Sequence, residues 1–199
     1  MIYNAGVTSP RLLLPKSIYQ ALVAHARAQY PNEACGLLRG RAGRVSGFLP
    51  ARNIAPTPRS DYEVDPESLL QALSWEDEGD ELIAIFHSHP TSPPYPSFVD
   101  AAKAFYPDSV YLILSLQQPR HPELKGFHLR SEAAFTRTQA RAMRQGIPFV
   151  QVRPGLWAYR IPSEGGDEGR GEDVCLVYDR EDGPMRLIHI QPVSIHILL

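Results

Sequence analysis

Apolar and polar residues follow two different periods along this chain, and these periods predict its secondary structure. Short apolar runs bounded by turn residues are typical of buried strands, and apolar residues at every third or fourth position are typical of one face of a helix. Before residue 131 the pattern predicts strands at 11–14, 33–39, 44–49, 61–64, 82–86, 111–116 and 125–130. It predicts helices at 16–29, 68–75 and 98–105. We expect an α/β protein with a mixed, largely antiparallel sheet flanked by helices.

The pattern changes at about residue 131, and the rest of the chain reads as an extension. We expect its elements in this order: a helix at 132–145, short strands at 149–152 and 156–161, a glycine-rich acidic linker at 163–173, and a β-hairpin of 174–178 and 185–190. The domain division that we predict is therefore a flexible arm, 1–10, a main domain, 11–130, and a C-terminal extension, 131–199. The extension completes the fold, forms a dimer surface or covers a substrate groove.

The composition of the chain argues against nucleic-acid-binding and membrane proteins. A chain of 199 residues with 43% apolar content can bury the core of one domain, and its net charge of −2 gives no reason to expect a nucleic-acid partner. We see no apolar run of the roughly 20 residues that a membrane span needs and no signal-peptide pattern, so we expect a cytoplasmic protein without a membrane partner. Cys35 and Cys175 are expected to be buried thiols, although a disulfide between them stays open.

The stretch His87-Ser88-His89-Pro90 carries the strongest chemical signal. It follows a predicted buried strand, in which alternate side chains share a face, so His87 and His89 point the same way and Ser88 points to the other face. Two imidazoles and a carboxylate suit zinc, and Asp100 is the natural third ligand. The competing interpretation is local: Ser97-x-x-Asp100 also fits a helix N-cap, and histidines at a surface need no metal.

The order of Glu33, His87-Ser88-His89-Pro90, Ser97 and Asp100, with ten residues between His89 and Asp100, resembles the signature of the JAMM (MPN+) zinc metalloproteases. The stretch 32–40 also resembles the segment that carries the catalytic glutamate of that family. The resemblance covers roughly residues 11–130, which would make this part the catalytic domain. It is closest to the compact prokaryotic members, and it implies an MPN-like, cytidine-deaminase-like architecture.

The resemblance also implies a role for each matching residue. His87, His89 and Asp100 would ligate one zinc ion, with a water in the fourth position at a lowered pKa. Glu33 would take the proton of that water and pass it to the leaving amine, and Ser97 would donate to the oxyanion. From the residues alone, Glu33 is either a buried carboxylate with such a purpose or an exposed strand end.

By the same resemblance the protein hydrolyses a peptide or isopeptide bond at the C-terminus of a ubiquitin-like or sulfur-carrier protein, whose extended tail would bind beside the metal. A homodimer is compatible with this function. Two alternatives differ in class. One is a non-catalytic MPN-type binding module, which would be expected to lack a ligand or the glutamate. The other is a RadC-like zinc hydrolase acting on another substrate, against which stand the missing basic stripe and the missing cysteine ligands.

Overall fold

The structure is a computed structural model that describes residues 11–161, 173–178 and 185–199. The predicted arm, 1–10, nearly all of the predicted linker, 163–173, and the turn of the predicted hairpin lie outside the described residues. The strands in chain order are β1 Arg11–Pro15, β2 Cys35–Arg41, β3 Arg44–Ala51, β4 Glu81–His89, β5 Val110–Ser115, β6 Glu123–Phe135, β7 Val150–Arg153, β8 Leu156–Ile161, β9 Asp173–Tyr178 and β10 Met185–Leu198. The helices are α1 Lys16–Gln29, α2 Pro66–Leu73, α3 Phe98–Ala102 and α4 Arg137–Gly146.

These strands form one mixed sheet in the order β1-β3-β2-β4-β5-β6-β10-β9-β8-β7, and β1 also pairs with β10. Most neighbours are antiparallel, and the parallel pairs are β4 with β5 and β1 with β3 and β10. The expected mixed, largely antiparallel sheet is thus confirmed. A parallel pair needs a crossover between its strands. The crossover from β4 to β5 carries α3, and it brings this helix back to the end of β4.

Both faces of the central strands are buried, because their side chains alternate between two apolar clusters. In β4, Ile85 packs into one cluster and Phe86 into the other; in β5, Ile113 and Leu112 divide in the same way. Helix α1 covers the second face with Leu22. A strand buried on both faces reads as a continuous apolar run, which explains why β4 and β5 stood out in the sequence.

Several predicted elements differ from the structure; β10, for example, runs to Leu198 rather than ending at residue 190. Residues 61–64 form no strand; only Val64 makes an isolated bridge, with Asn53. The helix expected at 132–145 begins at residue 137, because β6 continues to pair with β10 as far as Phe135 and Thr136 then caps α4. Helix α3 ends at Ala102 rather than at residue 105. The two cysteines are buried and free, as expected.

The predicted boundary at residue 130 falls within β6. The residues beyond it continue the sheet: β10 pairs with β6 along one edge, and with β9 and then β1 along the other. In the described part of the chain no helix is both long enough and apolar enough to cross a membrane.

Candidate metal and catalytic site

The end of β4 places His87 and His89 on one face, with their Nε2 atoms 3.1 Å apart. Both side chains are buried. Ser88 points to the other face, where its Oγ accepts a hydrogen bond from the backbone N–H of Ala34 at 2.8 Å. Ser88 therefore ties the segment that carries Glu33 to the histidine strand.

Helix α3 supplies the carboxylate. Ser97 is its N-cap: Ser97 Oγ accepts from the N–H of Asp100 at 3.1 Å, and Asp100 Oδ2 accepts from the N–H of Ser97 at 2.7 Å. This reciprocal capping box fixes the Asp100 side chain. Asp100 Oδ1 then lies 3.4 Å from His87 Nε2, and Oδ2 lies 3.5 Å from His89 Nε2. The helix N-cap formed by Ser97 and Asp100 is therefore compatible with Asp100 as a metal ligand, because the cap holds its carboxylate beside the two histidines.

The donor set fits a zinc ion. Tetrahedral ligands with bonds of 2.0–2.1 Å are separated by about 3.3 Å from each other, close to the three separations in the site. His89 Nδ1 lies 2.8 Å from the carbonyl oxygen of Pro93. A carbonyl only accepts, so His89 Nδ1 carries a proton, and Nε2 presents its lone pair to the site whenever the imidazole is neutral. Electron-rich atoms that converge in this way repel one another unless protons or a metal cation lie between them.

Electrostatics within the site favour an ionised Asp100. Burial alone would raise the pKa of Asp100, but the attraction of His87 and hydrogen bonds from both imidazoles outweigh it, and the pKa falls well below its usual range. Burial lowers the pKa of His87. Burial also opposes the charged form of His89, yet its bonds to Asp100 and Pro93 raise the pKa on balance. A carboxylate held ionised beside two imidazoles is the protonation state that a metal ligand needs.

Glu33 lies just before β2 and is held by its backbone. Its N–H donates to the carbonyl of Pro58 at 2.7 Å, and its own carbonyl accepts from Asn53 Nδ2 at 2.9 Å. The side chain is buried, and its Oε2 has no hydrogen-bond partner within the described residues. Burial first, and then the negative charge of Asp100, raise its pKa from 4.5 to about 8. Glu33 is thus a buried carboxylate, not an exposed strand end.

The site opens into a groove of about 940 Å³, which Glu33, His89 and Ser97 line together. Another part of its lining comes from the β7–β8 hairpin, through Val152, Arg153, Pro154 and Arg160. Of the three roles that the sequence left open for the extension, the structure shows one: its strands complete the sheet. Residues of the extension also line the groove, whereas a cover over the groove and a dimer surface stay predictions.

Sequence reasoning missed three residues around the site. Tyr62 stacks on the His87 ring with a centroid distance of 4.4 Å. Asn53 bonds the backbones of both Glu33 and Asp61. Asp61 is buried and pairs with Lys103 and Arg153. No local sequence motif identifies these residues, because each contacts the site only through the tertiary structure. Asn53, at the start of a proline-containing loop, is a residue type that often hydrogen-bonds loop backbone, which is the one signal that the sequence offered.

Together, the buried His87-His89-Asp100 group and the nearby carboxylate of Glu33, whose Oε2 has no hydrogen-bond partner in the described part of the chain, define the class of protein: a hydrolase whose site, at the end of a sheet strand, is compatible with a metal ion. The chain belongs to the family described as prokaryotic homologs of the JAB domain, whose model matches residues 15–129. The JAMM resemblance is confirmed.

Similar proteins agree with this assignment. The chain is 41% identical over 118 residues to a desampylase of Haloferax volcanii, covering 55% of this chain and 84% of that protein. It is 33% identical over 121 residues to the CysO-cysteine peptidase of Mycobacterium tuberculosis, covering 59% of this chain and 82% of that protein. The solution structure of protein DSY2949 from Desulfitobacterium hafniense matches with a TM-score of 0.56 and 26% identity, covering 94% of each chain. That match includes the extension.

Proposed function

We propose that this protein is a zinc-dependent metallopeptidase that hydrolyses a peptide or isopeptide bond at the C-terminus of a ubiquitin-like or sulfur-carrier protein. The observation that carries the proposal is the convergence of His87, His89 and Asp100 beside the buried carboxylate of Glu33, whose Oε2 has no hydrogen-bond partner among the residues that the structure describes. Relatives named desampylase and CysO-cysteine peptidase support the substrate class. Zinc, rather than another divalent ion, is supported by the mixed nitrogen and oxygen donors and their tetrahedral spacing.

We assign the residue roles on this geometry. His87, His89 and Asp100 would hold the ion. Zinc bound there would act as a Lewis acid that activates water and polarises a carbonyl. Glu33 accepts the proton of the attacking water and delivers it to the leaving amine, because its buried carboxylate lines the same groove as His89 and Ser97.

Ser97 completes the machinery. Its oxygen accepts a backbone N–H within the capping box, so the hydroxyl proton stays available for donation. We assign this proton to the carbonyl oxygen of the scissile bond, where negative charge develops. The capping box holds the hydroxyl in place, so the donor is preorganised for this role.

The groove suits the tail of a carrier protein. The ligands are buried, so a folded body stays outside and only an extended segment can reach them. We take residues 11–130 as the catalytic part, 131–199 as an extension that shapes the groove, and the cytoplasm as the place of action. These assignments belong to the proposal.

The test combines metal content with turnover. The purified chain, supplied with zinc, should contain one equivalent, and it should cleave at least one of a panel of ubiquitin-like and sulfur-carrier fusions in a chelator-sensitive way. Glu33→Gln should keep the metal and lose turnover, since an amide takes no proton, whereas His89→Ala should lose the metal. His121→Ala is the matched control, because His121 is an exposed histidine outside the site.

Two results would contradict the proposal. If the wild-type chain binds no metal after zinc is supplied, the metallopeptidase activity is excluded and a non-catalytic binding module is favoured. Equal turnover by Glu33→Gln and the wild type would remove Glu33 as the proton acceptor.

A further inference from the structure

We propose that the β7–β8 hairpin of the extension forms the second wall of the substrate groove, and that Arg59 and Arg153 make this groove selective for an extended tail carrying acidic side chains. The inference rests on the proposed function and names the chemistry of the tail that it accepts. It concerns residues beyond the 15–129 segment that the family model matches, together with one loop residue inside it.

The hairpin is fastened to the loop that leads into α3. Arg160 Nη2 donates to the carbonyl of Pro96 at 2.6 Å. The Arg160 guanidinium also lies over the rings of Tyr95, at 4.6 Å, and Phe98, at 5.2 Å. Cation–π contacts of this kind add to the hydrogen bond. The Tyr95 hydroxyl in turn bonds the Asp173 carboxylate of β9. The wall from the extension is therefore fixed relative to Ser97, the residue next to Pro96.

Arg153 already binds a carboxylate in the groove. Its Nη1 lies 2.8 Å from Asp61 Oδ2, while Lys103 Nζ lies 2.6 Å from Asp61 Oδ1. Asp61 is buried, whereas the Arg153 side chain is 41% exposed. Guanidinium has five N–H donors, and one of them is given to Asp61 within the described residues. Lys103 keeps Asp61 neutralised, so Arg153 can extend its contacts to a second carboxylate that enters from solvent.

The charge of the lining favours an acidic occupant. Three arginines line the groove, Arg59, Arg153 and Arg160, against two carboxylates, Glu33 and Asp61. Lys103, which does not line the groove, neutralises the charge of Asp61 through an ion pair. Arg59 is exposed on its loop. Much of the remaining lining is prolines and apolar side chains, which contact an extended chain without competing for its backbone hydrogen bonds. Charge complementarity of this kind sets selectivity.

The experiment measures binding separately from turnover. Two fluorescent peptides of equal length, both ending in Gly-Gly, carry either two glutamates or two glutamines upstream. Their affinities for the full-length Glu33→Gln chain are measured by anisotropy at low and at physiological salt. We expect the acidic peptide to bind more tightly, and Arg153→Ala or Arg59→Ala, each added to Glu33→Gln, to weaken it by about three- to five-fold while changing the neutral peptide little.

The control is Arg39→Ala, which removes an arginine that pairs with Glu78 and Asp80 and does not line the groove. It should leave both affinities unchanged. Arg59→Ala keeps the test decisive if Arg153→Ala fails to fold, because Arg59 is an exposed loop residue. In turnover of a cleaved carrier, Arg153→Ala should raise KM more than it lowers kcat.

Four outcomes overturn the inference: equal binding of the two peptides, no binding of either, an equal loss in Arg39→Ala, or tighter binding in Arg153→Ala, which would make the hairpin a plug. None of them bears on whether the wild-type chain holds metal and cleaves a carrier. If the wild type cleaves no carrier while the acidic peptide still binds through Arg153, the proposed function fails and the selectivity of the groove stands.

Discussion

Replacing Glu33 by glutamine should stabilise the metal-free protein, and should do so more strongly as the pH rises. The carboxylate is buried, and burial followed by the charge of Asp100 raises its pKa from 4.5 to about 8. The wild type must therefore either keep a proton on Glu33 at neutral pH or bury an ionised group. Glutamine has nearly the same shape and never titrates, so it avoids this cost.

The sign and size follow from proton linkage. Below pH 4.5 both the folded and the unfolded chain hold the proton, so the titration of Glu33 does not change the free energy of unfolding. Between pH 4.5 and about 8 the unfolded chain releases the proton while the folded chain keeps it, so the wild type loses about 1.4 kcal/mol of stability per pH unit. At pH 7 this amounts to about 3 kcal/mol, and above pH 8 the loss levels off at about 5 kcal/mol.

The assay is urea unfolding of wild type and Glu33→Gln in the presence of a chelator at pH 5, 6, 7 and 8. The stability difference should be small at pH 5 and grow steadily in favour of the variant. Zinc provides an internal control, because a nearby cation favours the ionised carboxylate and should shrink the difference in the loaded proteins. A difference that stays constant with pH, or that favours the wild type at pH 8, would refute the raised pKa.

The remaining predictions concern the cap and the packing. Ser97→Ala should lower the free energy of unfolding by about 1 kcal/mol because the helix cap is lost, and lower kcat by about 100-fold or more because the hydrogen-bond donor is lost. Ser97→Thr should restore much of the stability and of kcat. A normal kcat in Ser97→Ala would exclude the donor role. Gly36→Ala should cost about 1–3 kcal/mol, because a Cβ there would lie 2.5 Å from the ring of Phe48 and 2.7 Å from the carbonyl oxygen of Leu49. Gly146→Ala, with open space around its Cβ, is the matched control; equal melting temperatures for the two variants would contradict the packing argument.

The parts of the site that the sequence predicted well depend on short-range geometry. The alternation of His87, Ser88 and His89 follows from the strand period alone, and the Ser97–Asp100 pair follows from the capping box. Helix α1 was predicted at its exact bounds, because Pro15 precedes it and Leu22 lies on a clear apolar stripe. Local rules suffice where a side chain is fixed by its own element.

Two of the errors depend on whether a segment finds a distant strand to pair with. Residues 132–135 have helical composition, but their backbone joins β6 because β10 offers partners up to Met185, which pairs with Phe135. Residues 61–64 alternate like a strand, yet only Val64 finds a bridge, and Asp61 and Tyr62 serve the site instead. Helix and strand preferences are weak enough for tertiary contacts to override them.

The same dependence on distant pairing explains why the extension belongs to the folded unit. Strand β1 makes five register pairs with β10, from Arg11 with Ser194 to Pro15 with Leu198, and a single one with β3. Without β10, both β1 and β6 would expose unpaired edges, which are unstable and prone to aggregate. The match to DSY2949 over 94% of each chain shows that the segment recurs with the fold. Because β10 also pairs with β9 on the edge that it shares with β1, and β9 leads on to β8 and β7, the strand that closes the sheet is the one that brings Arg153 and Arg160 to the groove.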